Sequence, residues 1–189
     1  MNQRLSYWVD RNNIIQKVDE HWDNSMNTTS WSDRACSKGI IGKSLLEFIC
    51  DDVTRMYVIT MINSVRIIPQ SLFRPYRCDS PDTKRFMQMI ITPEDNGWVR
   101  VSHELLRCEP LKKTVLFKTK SNEQNSILKK RDFVHYNIEF IRCSLCNRLR
   151  PSDTDVWQEA DSLTIEKSKS LNSIPVVYGI CPDCLNSNI

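Results

Sequence analysis

The amino-acid sequence predicts an α+β fold, in which a five-stranded antiparallel sheet with helices on one face is followed by a small cysteine-bearing module. Three observations support this prediction. Strand-prone segments flank one long amphipathic segment within residues 1–110, in the order two strands, helices and three strands. Two Cys-x-x-Cys pairs occur near the end of the printed sequence. A lysine-rich stretch separates these pairs from the first part.

The first two strands are predicted to form a hairpin. Residues 7–10 and 14–18 are rich in β-branched and aromatic side chains, and the three polar residues between them suit a turn. Residues 23–38 are mostly polar, so we expect a loop with a short helical turn there. An apolar cluster at 45–49 precedes the next predicted helix.

A helix is predicted to begin at Asp51 or Asp52 and to run to about Arg66. A carboxylate at the start of a helix accepts hydrogen bonds from the free backbone N–H groups of the first turn. Residues at the three-and-four spacing of a helix predict one buried face. These residues are Val53, Met56, Tyr57, Thr60, Met61 and Ser64.

Three strands are predicted after this helix, at 72–78, 84–91 and 98–108. The sequence from Pro93 to Gly97 supplies a turn between the last two strands, because proline, asparagine and glycine favour turns. The strand order along the chain therefore suits an antiparallel sheet covered by helices on one face.

The two cysteine pairs have the spacing of a metal site. Each pair can supply two thiolates to a tetrahedral Zn²⁺, and four thiolates leave no open position, so the site is predicted to be structural. The ligands are Cys143, Cys146, Cys181 and Cys184. Strands at 134–140 and 175–180 lead into the pairs and predict a zinc-ribbon-like module, although the 34-residue spacer is longer than usual. Disulfides or a redox pair are the alternatives.

The stretch 111–132 divides the chain into three predicted parts: a first domain at 1–110, a basic linker at 111–132 and a metal-binding module at 133–189. The linker contains seven basic residues and only two acidic ones. A solvated linker is the simpler interpretation, and a docking site for an acidic partner or RNA is the alternative.

Composition narrows the class of protein. Four glycines and no Gly-rich phosphate motif argue against a nucleotide-binding loop. The net charge of +3 does not by itself indicate nucleic-acid binding. No apolar stretch is long enough for a membrane span, and the first residues lack a signal-peptide pattern, so we expect a cytoplasmic protein without membrane insertion. No catalytic motif stands out, and we expect no enzymatic activity.

Several motifs resemble a known family. The segments VDEHWD (18–23), IGKSLLEFI (41–49) and FRPYRCDSP (73–81) are similar to a bacterial PAS sensor domain. The segments CSLCNRLR (143–150) and YGICPDC (178–184), with Trp157 between them, resemble a four-cysteine zinc-binding tail of bacterial signalling proteins. Tyr178 stands where that tail usually has histidine, but four cysteines are sufficient ligands without it. The resemblance implies a PAS-like five-stranded sheet that encloses a ligand pocket, usually in a homodimer.

Candidate residues for that pocket are His103, Trp22 and Tyr57. His103 shares a strand face with Val99 and Val101, so alternation directs it toward the interior. The simpler interpretation of His103 is a core histidine with a hydrogen-bond partner, and the alternative is a haem ligand. The predicted helix contains no histidine, and the cysteine context that flavin photochemistry requires does not occur, so neither haem nor flavin is expected.

Cys78 is the best candidate for a redox-active thiol, because Arg77 beside it would favour the thiolate, although Asp79 opposes it. The simpler interpretation is an ion pair between Arg77 and Asp79 at the end of a strand. The other cysteines outside the metal pairs are Cys36, Cys50 and Cys108, which we expect to behave as small buried apolar residues.

These expectations together predict a non-enzymatic cytoplasmic signalling protein. Its PAS-like domain would bind a small ligand or a protein partner in a signalling pathway and relay the signal through protein contacts. Zinc would have a structural role. The alternative function is a nucleic-acid-binding transcriptional or RNA regulator that uses the basic linker and the zinc module.

Overall fold

The computed structural model describes residues 4–26, 36–49, 51–118, 140–163 and 174–187. The chain forms two compact units. The first contains Met1–Tyr76 and Phe86–Arg107, and the second contains Arg77–Arg85 and Cys108–Asn188. A compact unit is not the same as an independently folding domain, and the domain boundaries stay a prediction.

The described strands are β1 (Arg4–Val9), β2 (Ile15–Val18), β3 (Leu72–Arg77), β4 (Thr83–Pro93), β5 (Val99–Pro110), β6 (Phe117–Lys118), β7 (Phe140–Cys143), β8 (Leu149–Pro151) and β9 (Ile174–Gly179). The described α-helices are α1 (Trp22–Met26), α2 (Ser37–Ile40), α3 (Asp52–Ile67) and α4 (Pro182–Asn186), and short 3-10 helices lie at Leu45–Phe48, Asp95–Gly97 and Ala160–Ser162.

The larger sheet has five strands in the order β2-β1-β5-β4-β3. β1 pairs antiparallel with both β2 and β5, and Tyr7 lies opposite Val18 on one side and Val101 on the other. Short turns join β3 to β4 and β4 to β5, and such connections require antiparallel neighbours. The predictions of an α+β fold and of a five-stranded antiparallel sheet are confirmed.

The hairpin of β1 and β2 is closed by its own polar residues. The Asp10 carboxylate accepts hydrogen bonds from the backbone N–H groups of Asn12 (2.8 Å) and Ile14 (2.9 Å). Asn13 adopts a left-handed conformation with φ of 60°, which asparagine tolerates better than most residues. The predicted hairpin is therefore confirmed, and the local turn chemistry explains it.

Helix α3 begins as predicted, but it buries a different face. The Asp51 carboxylate accepts hydrogen bonds from the backbone N–H of Thr54 (2.8 Å) and from its hydroxyl (2.6 Å). Of the predicted face only Met61 is fully buried, whereas Met56 is 68% exposed. The residues that the helix buries are Val58, Met61, Ile62 and Val65. The predicted stripe includes the polar residues Thr60 and Ser64, whereas the buried stripe is entirely apolar, and both have helical spacing.

The first unit has one apolar core, to which the sheet and α3 both contribute. Its buried members alternate along the central strands, because successive side chains of a strand point to opposite faces. They are Tyr7, Val9, Ile15, Trp22, Ile40, Leu45, Val58, Met61, Ile62, Val65, Leu72, Met89, Ile91, Val99 and Val101.

The second unit has its own sheet and its own core. The strand order is β6-β9-β7-β8, and β7 pairs antiparallel with β8 but parallel with β9. The core consists of Val115, Leu149, Ala160, Leu163 and Val176. Residues 111–118 of the predicted linker lie in this unit, where Val115 is buried and Phe117 begins β6. Residues 119–132 of that linker, most of the predicted strand at 134–140 and Cys50 lie outside the described residues.

Candidate metal centre

The first half of the metal centre is the turn that follows β7. Cys143 is the last residue of this strand, and its backbone N–H donates to the carbonyl of Arg148 (2.8 Å). Asn147 donates its own N–H to the carbonyl of Cys143 (3.0 Å) and has a φ of 60°. This left-handed residue reverses the chain directly after Cys146, so both cysteines of the pair face the same point.

The second half follows β9. The N–H of Ser144 donates to the carbonyl of Gly179 (2.9 Å), which joins the ends of the two strands. Cys181 is then the N-cap of α4, and its sulfur accepts a hydrogen bond from the N–H of Cys184 (3.4 Å). Because β7 and β9 run parallel, both strands deliver their cysteine pairs to the same edge of the sheet.

Parallel pairing also explains the long spacer. Two parallel neighbours need a crossover connection of at least about a dozen residues, whereas antiparallel neighbours can be joined by a short turn. The 34 residues between the pairs satisfy this need and include β8, which pairs with the other side of β7. The spacing that is unusual for a zinc ribbon is therefore a consequence of the topology.

The four sulfurs lie at distances that suit one metal ion. All four Sγ atoms lie within 4.8 Å of one another, and the Sγ atoms of Cys146 and Cys181 are 3.7 Å apart. A tetrahedral zinc with Zn–S bonds of about 2.3 Å requires S–S separations of about 3.8 Å. The predicted ligands Cys143, Cys146, Cys181 and Cys184 are thus brought together, and their arrangement can hold a metal ion.

Hydrogen bonds to sulfur stabilise negative charge in the centre. A hydrogen bond from the Cys143 thiol and the guanidinium of Arg148 lower the pKa of Cys146 to about 4. The same hydrogen bond, together with burial, raises the pKa of Cys143. The N–H of Cys181 also donates to the sulfur of Cys143 (3.4 Å). The surroundings therefore favour the thiolate, which is the form that binds metal, at Cys146, whereas burial disfavours it at Cys184.

Arg148 connects the two halves of the centre. Its Nε donates to the Sγ of Cys146 (3.2 Å), and its Nη2 donates to the Sγ of Cys181 (3.3 Å) and to the carboxylate of Asp183 (2.7 Å). Arg148 lies within the motif at 143–150, but the sequence predicts no role for it. Its position two residues after Cys146 is the only sequence signal that points to the centre.

Cys78 and its neighbours lie in the same unit. The Nη2 atom of Arg77 pairs with the Asp79 carboxylate at 2.6 Å, so the predicted ion pair is confirmed. Cys78 is exposed, and the guanidinium of Arg85 donates to its sulfur (3.2 Å). The basic group at the thiol is therefore Arg85, whereas Arg77 contacts carboxylates. A redox role for Cys78 stays a prediction.

The predicted pocket residues all lie in the first unit. The hydroxyl of Tyr76 and Nδ1 of His103 are hydrogen-bonded at 2.7 Å, and the imidazole stacks on Tyr7 at 5.7 Å between ring centroids. Trp22 also contacts Tyr7, edge to face, with 6.0 Å between the ring centroids. His103 is therefore a half-buried histidine with a hydrogen-bond partner, and desolvation lowers its pKa to about 4.

Tyr57 occupies a different place on the helix. The guanidinium of Arg74 lies over its ring at 5.5 Å. A surface groove at the end of α3 is lined by Ser64, Val65, Ile68, Gln70, Ser71, Leu72 and Phe73. None of the three predicted pocket residues lines this groove. Ligand binding by His103, Trp22 and Tyr57 stays a prediction.

No family model matches the chain, and no curated protein matches it either. None of the helices in the described part of the chain has the length and apolar character needed to cross a bilayer. The metal centre is consequently interpreted from its own geometry.

Proposed function

We propose that the four cysteines bind one structural zinc ion. The observation that carries this proposal is the set of four converging sulfurs, whose separations suit tetrahedral Zn–S coordination. Thiolate ligands favour zinc over magnesium or calcium, which prefer oxygen. Since the protein fills all four positions, the metal has no open position for a substrate, and its role is to hold the turns after β7 and β9 together.

The proposal is tested by the metal content of gently purified protein. We expect about one zinc per chain by elemental analysis, with four thiols that react with a thiol reagent only after chelation. A folded, metal-free protein with all four of these cysteines oxidised to disulfides would contradict the proposal. Iron in place of zinc would support a four-cysteine metal site but contradict zinc as its metal.

We further propose that the protein is a non-enzymatic sensor, with a PAS-like first domain and the metal unit as a structural module. The five-stranded antiparallel sheet with α3 in its core supports this proposal, as do the motifs at 18–23, 41–49 and 73–81. The domain would bind a small ligand or a protein partner and act through protein contacts, as a homodimer. Reduced thiolate ligands suit the cytoplasm.

Native mass spectrometry tests this second proposal, because it reports bound metal, bound small molecules and subunit stoichiometry together. We expect a dimer with zinc and with either a ligand mass or an empty first domain that awaits a protein partner. A monomer at micromolar concentration would contradict the dimer. Binding of RNA or DNA that weakens steeply with added salt would instead favour the nucleic-acid alternative.

A further inference from the structure

The connection between β3 and β4 is part of the metal-bearing unit. Arg77–Arg85 contains the last residue of β3, the turn and the first residues of β4, and it groups with Cys108–Asn188. Two strands of the larger sheet are therefore joined by a segment whose contacts lie in the second unit. Those contacts reach the metal centre itself.

The backbone of Arg77 is held on both sides by the turn between Cys143 and Arg148. Its N–H donates to the carbonyl of Leu145 (2.6 Å), and its carbonyl accepts from Nδ2 of Asn147 (3.2 Å). Leu145 lies between two proposed metal ligands, and Asn147 directly follows one. Both are buried, with about 5% of the side chain of either residue exposed. The conformation of this turn thus fixes the position of Arg77.

Ion pairs hold the rest of the segment. Arg77 contacts Asp79 at 2.6 Å and Glu159 at 2.8 Å, and Lys84 contacts Glu159 at 3.1 Å and Asp161 at 3.3 Å. The side chains of Arg77 and Asp79 are more than nine-tenths buried. Buried charges are stable only while their partners keep their geometry, so loss of one contact destabilises the others.

The proposed metal would add two bonds to the hydrogen bonds that close the turn supporting this segment. A turn with two thiolate ligands keeps its shape because the metal fixes both sulfurs, and small metal units commonly lose their structure when the metal leaves. Without the metal, the carbonyl of Leu145 and the amide of Asn147 lose their defined positions. Arg77 then loses both backbone partners at once.

We propose that metal occupancy controls the order of the Arg77–Arg85 connection, so that loss of zinc releases the junction between β3 and β4. This inference rests on the proposed zinc site. The released segment continues directly into two strands of the five-stranded sheet. The metal centre then does more than stabilise the C-terminal turns. Its occupancy determines whether the connection between β3 and β4 is ordered.

Hydrogen exchange measured by mass spectrometry on the full chain tests the inference. The zinc-loaded protein is compared with the protein after chelation, and peptides that cover 77–85 are compared with peptides from α3. We expect exchange in 77–85 to rise by about tenfold or more, because the segment loses two hydrogen bonds to the turn. Exchange in α3 should not change. Zinc content is measured separately on each sample.

A matched pair of variants separates the contact from the metal. Asn147→Gly keeps a residue that accepts a positive φ but removes the Nδ2 donor to Arg77. We expect one zinc per chain and faster exchange in 77–85. Asn96→Gly makes the same change at an exposed left-handed position in the turn after β4, and it should leave exchange in 77–85 as in the unaltered protein.

Three results would overturn the inference. Unchanged exchange in 77–85 after zinc removal would show that metal occupancy does not control this segment. The zinc proposal itself would not be affected. Equal increases in 77–85 and in α3 would show global unfolding instead of local release. Purified protein without metal, with all four cysteines reduced, would overturn the zinc proposal together with the inference.

Discussion

At the residue scale, Arg148 contacts both halves of the metal centre through its guanidinium. It donates to sulfurs from both pairs, and Asp183 holds its guanidinium in place. Four thiolates around Zn²⁺ carry a net charge of −2, so a guanidinium in contact with two of them offsets part of that charge. Groups that contact metal ligands in this way commonly change metal affinity when they are removed.

We expect Arg148→Ala to weaken zinc binding by about 10- to 100-fold. Competition with a chromophoric chelator measures this change. Arg150→Ala is the matched control, because the Arg150 guanidinium contacts Thr154 and Asp155 and has no described contact with a sulfur. Equal affinity of the two variants would contradict the role of Arg148.

The half-buried imidazole of His103 makes stability depend on pH. The unfolded chain binds a proton at His103 below its ordinary pKa of 6.5, whereas the folded protein binds it only below about 4. Between these values unfolding takes up a proton, so the stability that the neutral imidazole contributes is lost as pH falls from 6.5 toward 4. By pH 5 this loss amounts to up to about 2 kcal/mol.

Urea unfolding at pH 7 and pH 5 measures this effect. His103→Phe keeps an aromatic ring but cannot titrate, so its stability should fall less between the two pH values than that of the unaltered protein. His21→Gln alters an exposed histidine and should keep the original pH dependence. The same fall in stability for His103→Phe and the unaltered protein would exclude His103 as the cause.

The parts of the metal centre and its surroundings that depend on residues close in sequence were predictable. Two residues between cysteines suffice to predict a metal-binding pair, and Arg77 and Asp79 are close enough in sequence to predict an ion pair. Glu159, which also binds Arg77, is 82 positions away and leaves no such signal. The partners of Arg148 in the second pair were missed for the same reason.

At the scale of elements, the start of α3 was predictable and its orientation was not. A cap depends on a few adjacent residues, so Asp51 could be found from the sequence. The buried face depends on which side of the helix meets the sheet. The order of strands in the sheet was also not predictable from local sequence, because β1 pairs with β5, which lies far away along the chain. Such pairings are decided by packing and not by local sequence.

We expect Asp51→Ala to lower the free energy of unfolding by about 1 kcal/mol, because the first turn of α3 loses its side-chain acceptor. Asp52→Ala is the control. The Asp52 side chain is 94% exposed and pairs with Arg55 at the surface, so its loss should cost about 0.5 kcal/mol or less. Urea unfolding measures both variants. An equal or smaller effect at Asp51 would contradict the assigned cap.

At the scale of the whole molecule, the two apolar cores share no residue. We therefore expect each core to lose its packing in a separate local transition. Among the described residues, the second core contains five buried apolar side chains. We infer that the metal supplies a large part of the stability of its unit, as it does in other small metal-binding folds.

We expect Cys146→Ser to abolish stoichiometric zinc binding and to expose the second unit to proteolysis, while the core of the first unit stays protected. Limited proteolysis with mass mapping of the fragments measures this outcome. Cys78→Ser changes an exposed cysteine of the same unit and should keep both zinc and protection. Rapid cleavage within α3 of Cys146→Ser would show that the two units unfold together.

The parallel pairing of β7 and β9 has a consequence for chain entropy. In an unfolded chain, bringing the cysteine pairs together across 34 residues would cost about 4 kcal/mol by the ring-closure argument used for disulfides. The pairing of β7 with β9 and the metal together offset this cost, because both keep the two cysteine pairs at the same edge of the sheet. Doubling the spacer would add only about 0.6 kcal/mol. The length between the pairs can therefore vary widely by insertion, whereas the two residues within each pair cannot.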